Sequence, residues 1–125
     1  TMTPPDLDEV PAGLPREYLE PCLLLLLSEG PSHGYELLEQ LREVGLTRVD
    51  PPALYRYLRA MDRSGLVGCW WEPSQVGPAR RTYGLTDGGC ARLQAWVSVM
   101  TDVHRTLGEC LERSRQRAAD EVGRR

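Results

Sequence analysis

The fold is decided by the stretch DPPALYRYLRAMDRSG, residues 50–65. Asp50 followed by two prolines is typical of a helix start, because proline in the first turn has no N–H to leave unpaired and an aspartate can accept from the remaining ones. Leu54, Tyr57, Leu58 and Met61 recur at helical spacing, and Ser64-Gly65 is a typical helix end. The segment therefore predicts an amphipathic helix with an apolar inner face. Its outer face carries Tyr55, Arg56, Arg59, Asp62 and Arg63.

Two more helices are predicted before this one. The string PREYLEPCLLLLLS at 15–28 fits a buried helix, since Pro21 lies near its start, and Gly30-Pro31 ends it. A second, short helix follows Ser32 as its cap, has apolar residues at near-helical spacing, and ends at Gly45.

A hairpin and a long helix are predicted after residue 65. Residues 66–72 and 80–85 are two β-prone runs around a turn-rich loop at 73–79, and the returning run begins with two arginines. Thr86-Asp87 then caps a helix that continues to about Ala119. Its apolar positions, at spacings of three and four, are Leu93, Trp96, Val97, Met100, Val103, Leu107, Cys110 and Leu111. Such a stripe needs a partner, and a second copy of the chain in a two-fold dimer is the simplest one.

Three helices, a basic hairpin and a long helix are the element order of a winged helix-turn-helix. The predicted fold class is therefore mainly α with a small β hairpin (α+β): a winged helix-turn-helix domain plus a long C-terminal dimerisation helix. The predicted organisation is a flexible segment at 1–14, the winged domain at 15–86, the dimerisation helix at 87–120 and a tail at 121–125.

Charge is unevenly distributed over the 125 residues, which carry a formal net charge of −3. Residues 1–30 hold one arginine and six acidic residues, whereas residues 46–85 hold six arginines and three acidic residues. There is no lysine, so all fifteen basic residues are arginine. A locally basic surface on an acidic protein is a candidate site for a polyanion such as DNA.

Several function classes are disfavoured. The cysteines at 22, 69, 90 and 110 are too far apart to form a CxxC pair, which argues against a metal site and favours reduced, mostly buried thiols. The minority alternative is a redox role, for example a disulfide of Cys110 with its dyad mate. The longest apolar run, Cys22 to Leu27, is too short to cross a bilayer, so we expect a cytoplasmic location. No nucleophile–base set or phosphate loop is visible, so neither an enzyme nor a cofactor is predicted.

Three motifs in order resemble the PadR family of bacterial transcriptional regulators. Residues 23–37 resemble its opening "LLxxGPxHGYEL" signature, residues 54–66 its "LYxxLxxLexxGL" recognition helix, and residues 77–89 its "GPxRxxYxLTxxG" wing. The resemblance spans roughly residues 14 to 115, and the single helix after the wing is similar to that of the family's small subfamily, which includes multidrug-sensing repressors.

The resemblance implies a homodimeric repressor that binds a palindromic operator through recognition helix 51–64 and wing 70–83, and is released by a small aromatic effector at the dimer interface. The DNA-binding residues are then Tyr35, Tyr55, Arg56, Arg59, Arg63, Arg80, Arg81 and Tyr83. The ligand-binding residues are Trp96, Met100 and Trp70. The dimer-interface residues are Leu93, Trp96, Val97, Met100, Val103, Leu107 and Leu111.

Alternatives remain open at each of these positions. Family members commonly begin the recognition helix with hydroxyl residues and have proline after the tyrosine, whereas this chain has Pro51-Pro52-Ala53 and Arg56 there. The helix arginines could form a solvated face that pairs with Asp62, the tyrosines could be core residues, and His33 is more often a structural hydrogen bonder than a metal ligand. For the whole chain, the alternative function is a winged-helix protein–protein interaction module without DNA binding.

Overall fold

The computed structural model describes residues 12–124, so most of the predicted flexible segment at 1–14 lies outside the described residues. A single 3₁₀ turn (Arg16–Tyr18) precedes the first helix. The helices are α1 (Leu19–Ser28), α2 (Gly34–Glu43), α3 (Pro51–Arg63) and α4 (Asp87–Gly123), and the strands are β1 (Ser32–His33), β2 (Val67–Glu72) and β3 (Arg80–Leu85). The predicted class, mainly α with a small β hairpin (α+β), is confirmed, and the hairpin belongs to a three-stranded antiparallel sheet.

Helix α3 begins and ends where the sequence predicts. The Asp50 carboxylate accepts a hydrogen bond from the Ala53 N–H at 2.8 Å, which caps the helix ahead of its two prolines. At the other end Gly65 adopts a φ of +78°, a left-handed conformation that glycine adopts without a Cβ penalty. Leu54, Leu58 and Met61 are buried, so the predicted inner face is confirmed.

The sheet has a third strand that the sequence did not indicate. Its strand order is β1-β3-β2, all antiparallel, and Ser32 and His33 of β1 pair with Tyr83 and Thr82 of β3. Strand β3 is therefore central rather than one edge of a two-stranded hairpin. Ser32 belongs to this strand, and its predicted role as the cap of α2 is wrong: the cap is His33, whose Nδ1 accepts from the Glu36 N–H at 3.3 Å.

The core is built from leucines of the first three helices against β3. Its fully buried members include Leu23, Leu24, Leu37, Leu41, Leu54, Leu58 and Tyr83. Helix α1 is not buried on every side, because Leu25 is half exposed. An amphipathic arrangement is thus present within a run of five leucines that shows no periodicity by itself.

The start of α4 contacts residues that lie earlier in the chain. The Thr86 hydroxyl donates to the Gly65 carbonyl at 2.6 Å and accepts from the Gly89 N–H at 3.0 Å. Arg92 forms an ion pair with the buried Glu20 of α1 at 3.1 Å. Burial and the Glu20 carboxylate raise the pKa of Tyr57, on the inner side of α3. One hydroxyl and one ion pair therefore hold the first two turns of α4 in place.

The chain divides into two compact units, Thr1–Leu93 and Gln94–Arg125. The second unit consists of the remainder of α4, on which Val97, Leu107 and Leu111 are exposed while Met100 and Val103 are partly exposed. Leu93 differs from these residues. It is only 8 % exposed within the first unit, so its predicted place in the dimer stripe is wrong: the side chain is already buried within its own chain.

The cysteines depart in part from the prediction of mostly buried thiols. Cys22 and Cys69 are partly buried, whereas Cys90 and Cys110 lie exposed on α4, and all four are free thiols. Burial raises the pKa of the Cys22 thiol. Across residues 12–124, no helix has the length and apolarity required for a bilayer span.

Candidate nucleic-acid interface

Helix α3 presents its arginines to solvent. Arg56, Arg59 and Arg63 are exposed on the side opposite the buried leucines, because they fall between the apolar positions of the helical repeat. None of the three forms an ion pair with any residue of the described chain, Asp62 included. Their guanidinium groups therefore remain available to an external anion.

Two further arginines come from the start of β3 and lie on opposite faces of the sheet, as neighbours on a strand must. Arg81 donates from Nε to the Cys69 thiol of β2 at 3.0 Å, and Arg80 places Nη1 3.2 Å from Nε2 of His33. The hydrogen bond to Cys69, with Tyr83 nearby, raises the pKa of Arg81. Both side chains are exposed.

The wing arginines border a cleft of about 360 Å³ together with two tyrosines and the first residues of α2. Its lining residues are His33, Gly34, Tyr35, Tyr55, Arg80 and Arg81. A helix N-terminus carries a partial positive charge and free N–H groups, so the cleft combines two guanidinium groups, two phenol hydroxyls and a helix dipole. This is a chemistry suited to phosphate.

Gly34 is required for the shape of that cleft. A Cβ at this position would overlap the Tyr55 ring and would lie 2.9 Å from its hydroxyl oxygen. Only glycine at position 34 therefore lets the Tyr55 ring of α3 pack on the first turn of α2. In this position the Tyr55 side chain is 37 % exposed. Tyr35, the next residue along, is 65 % exposed.

Tyr83 is the predicted site residue that the structure contradicts. Its side chain is only 2 % exposed, and burial is the main cause of its raised pKa. The physical reason is packing against the helices: α1 and α2 contact β3, and Tyr83 lies close to Tyr55 and Arg59 of α3. Tyr83 is a core residue beneath the basic surface, and the prediction that it contacts DNA is wrong.

The other residues predicted from sequence to contact DNA lie on the elements expected for them. Tyr35, Tyr55, Arg56, Arg59, Arg63, Arg80 and Arg81 are all exposed. Sequence reasoning missed the contributions of Gly34 and Cys69, and the link between His33 and Arg80. His33 itself is a structural hydrogen bonder, as predicted, and no group of three or more potential metal ligands occurs in the described part of the chain.

The residues predicted for ligand binding are distributed over both compact units. Trp70 donates from its indole nitrogen to Glu72 at 3.0 Å, and its ring packs so closely on Gly84 that a Cβ there would lie 2.6 Å from the ring. Trp96 and Met100 are partly exposed on α4. Within its own unit, Trp70 is thus engaged with the sheet that carries it.

Comparison with known proteins places these features in a family context. A family model described as "Transcriptional regulator PadR-like family" matches residues 23–95. A PadR-like transcriptional regulator from Bacillus cereus is 33% identical over 74% of this chain and 93% of its own, with a TM-score of 0.63. A PadR family regulator from Eggerthella lenta is 27% identical over 78% of this chain and 84% of its own, with a TM-score of 0.66.

One similar structure contains nucleic acid. Bacillus subtilis PadR, solved in complex with operator DNA, is 24% identical over 66% of this chain and 48% of its own, with a TM-score of 0.59. At that identity the likeness concerns the fold. No protein with curated annotation matches the chain.

Proposed function

Because this chain belongs to the PadR-like family of transcriptional regulators, we propose that it is a homodimeric DNA-binding repressor whose operator contacts come from α3 and the wing formed by β2 and β3. The observation that carries the proposal is the basic surface: five exposed arginines, none in an ion pair within the described chain, on a protein with a net charge of −3. These five are Arg56, Arg59, Arg63, Arg80 and Arg81. We call them the basic surface below.

The shapes of the two elements fit a duplex. An α-helix fits the major groove, where arginine can donate two hydrogen bonds to guanine, and a hairpin that carries arginine can reach the adjacent backbone or minor groove. The cleft between α2, α3 and β3 would then bind a phosphate of the DNA backbone. Tyr35 and Tyr55 would donate hydrogen bonds to the phosphate oxygens. Bacillus subtilis PadR, which has a similar fold, was solved with operator DNA, and this supports DNA binding by the present chain.

Dimerisation rests on α4. Val97, Leu107 and Leu111 are 44 %, 58 % and 55 % exposed although they lie on one stripe of the helix with Met100 and Val103. Apolar residues sustained at spacings of three and four are typical of helix-to-helix association, and a second copy supplies an identical stripe. Two copies related by a dyad would read the two halves of a palindromic operator.

An aromatic effector is the second element of the proposal. Trp96 lies beside this stripe, and in a dimer two copies of Trp96 and Met100 could enclose a flat, apolar molecule. Trp70 is left out of this site, because its indole is already hydrogen-bonded and packed against Gly84. Binding between the subunits would change their relative placement and so release the operator.

The test is duplex binding measured against salt. The purified chain should bind the intergenic DNA upstream of its own gene more tightly than a scrambled duplex of the same length. Between 50 and 200 mM salt the affinity should fall by roughly a thousandfold, as for a protein that makes about six phosphate contacts. Light scattering should give twice the 14.1 kDa mass of the chain. Equal, salt-independent affinity for both duplexes would contradict the proposal and favour the protein-interaction module.

Gly34→Ala should weaken duplex binding by at least about tenfold. The new methyl group displaces the Tyr55 ring, so the cleft loses one hydroxyl, and one hydrogen bond to a charged group contributes about 1.5 kcal/mol or more. Fluorescence anisotropy of a labelled duplex measures the change, and thermal unfolding shows whether the fold is kept. Gly68→Ala is the matched control, since a Cβ on Gly68 meets no atom within 4 Å. If both variants bind like wild type, Tyr55 does not contact the duplex.

A further inference from the structure

Strand β2 carries two adjacent tryptophans, which differ in their exposure and contacts. Trp70 packs on Gly84 and bonds to Glu72, whereas Trp71 is 66 % exposed and forms no hydrogen bond to any residue of the described chain. Tryptophan is seldom left so open to water, because its ring has the largest apolar surface of any side chain. An exposed indole on the wing therefore calls for a partner.

The register of the sheet places Trp71 beside the basic surface. Trp71 pairs directly with Arg81, and Cys69, two residues earlier on β2, accepts the Arg81 Nε hydrogen bond. Side chains two apart on a strand share a face, so Trp71, Cys69, Arg81 and Tyr83 lie on one face of the sheet. Trp70 lies on the other.

That shared face is the one that turns toward α3. Tyr83, on the same face, is close enough to Tyr55 and Arg59 of α3 for their charges to influence its pKa. Arg81 lines the cleft that Tyr55 also lines. Trp71 thus continues, toward the tip of the wing, a surface that already contains residues of α3 and β3.

The pairing with Arg81 also defines what the indole can contact. Cys69 accepts the hydrogen bond from the Nε–H of Arg81, so the two terminal nitrogens of Arg81 remain free to bind a phosphate. In a DNA strand, each phosphate is followed by a deoxyribose and its base. An indole ring beside the Arg81 guanidinium would therefore contact the deoxyribose and the edge of that base. Both present apolar atoms to a flat aromatic ring.

We propose that Trp71 is a further duplex-contacting residue, which packs its indole against the deoxyribose next to the phosphate bound by Arg81. This inference rests on the proposed function. It adds an apolar, salt-insensitive contact to a surface whose other members are charged, so each wing holds the strand by a phosphate contact and a sugar contact at once.

The test separates the two kinds of contact by their salt dependence. Trp71→Ala should lower duplex affinity about tenfold at every salt concentration, since partial burial of an indole against apolar sugar atoms contributes about that much and displaces no counterions. The slope of log affinity against log salt should stay at its wild-type value. Trp71→Phe should recover most of the loss, and Trp70→Phe, which keeps a ring on the opposite face, should bind like wild type.

A second readout detects the contact itself. The chain has three tryptophans, so a Trp70→Phe/Trp96→Phe variant leaves Trp71 as the sole indole. Addition of the upstream duplex should change both the intensity and the wavelength of its emission, as the ring leaves water, and free phosphate should not.

The outcomes are distinguishable. If wild type binds no duplex, the proposed function fails and this inference fails with it. If wild type binds, but Trp71→Ala binds equally well and the Trp71 emission is unchanged, only the inference is wrong. If Trp71→Ala lowers the salt slope as Arg81→Ala does, Trp71 merely positions Arg81, and the sugar contact is wrong.

Discussion

A variant that combines Arg59→Ala with Arg81→Ala should bind its upstream duplex at least about 100-fold more weakly than wild type, and should remain a folded dimer. Hydrogen bonds to charged groups contribute about 1.5–3 kcal/mol each, and a factor of 100 corresponds to about 2.7 kcal/mol. The two residues come from α3 and β3, so their loss weakens both contacts with the duplex. Both side chains are exposed and outside the core, so thermal unfolding should be unaltered.

The salt dependence of the same variant provides a second check. Each phosphate contact that is lost should lower the slope of log affinity against log salt by about one. Arg113→Ala combined with Arg124→Ala is the charge-matched control, because it removes the same number of exposed arginines, one from α4 and one directly after its end. If the control weakens binding as much as the test variant, the effect comes from net charge, and α3 and the wing are not the reading surface.

Gly89→Ala should destabilise the fold by about 1–2 kcal/mol. A Cβ there would overlap the Leu66 carbonyl oxygen and would lie 2.5 Å from Cδ1 of Leu85. That carbonyl accepts a hydrogen bond from the Thr86 N–H, so it cannot turn away without breaking a backbone contact. Overpacking costs about 1–3 kcal/mol or more, and the better helix propensity of alanine, up to about 1 kcal/mol, offsets only part of it.

Urea unfolding followed by circular dichroism measures this loss, and Gly108→Ala is its control. Gly108 is also inside α4, but a Cβ there meets no atom of the chain within 4 Å. The control should therefore be more stable than wild type by about 0.5–1 kcal/mol. A Gly89→Ala protein as stable as wild type would show that α4 can separate from Leu66 at no cost.

Local signals explain which elements the sequence predicts. Asp50 and the two prolines after it determine the start of α3 from three consecutive residues, and the alternation of leucines and arginines along that helix determines which face is exposed. The two hairpin strands are also adjacent in sequence and separated by a recognisable turn. The residues that determine these elements lie close together in the sequence, within one or two helical turns or one hairpin.

Long-range contacts explain what the sequence did not reveal. Strand β1 has two residues and exists because Ser32 and His33 meet β3 some fifty positions later, so no periodicity could indicate it. The burial of Tyr83 depends on helices from earlier in the chain, so it was missed too. The ion pair between Glu20 and Arg92 joins residues 72 positions apart. The cleft needs α2, α3 and β3 together, which is why the sequence showed neither the role of Gly34 nor the contact between His33 and Arg80.

The Thr86 junction also determines where the chain can change length during evolution. Thr86 is the single residue between β3 and α4, and its hydroxyl bonds in both directions, to Gly65 at the end of α3 and to Gly89 in α4. An insertion beside it would shift that hydroxyl away from one partner or the other. The loop at 73–79 carries no such constraint. Homologues should therefore gain and lose residues at the wing tip, while this junction keeps its length.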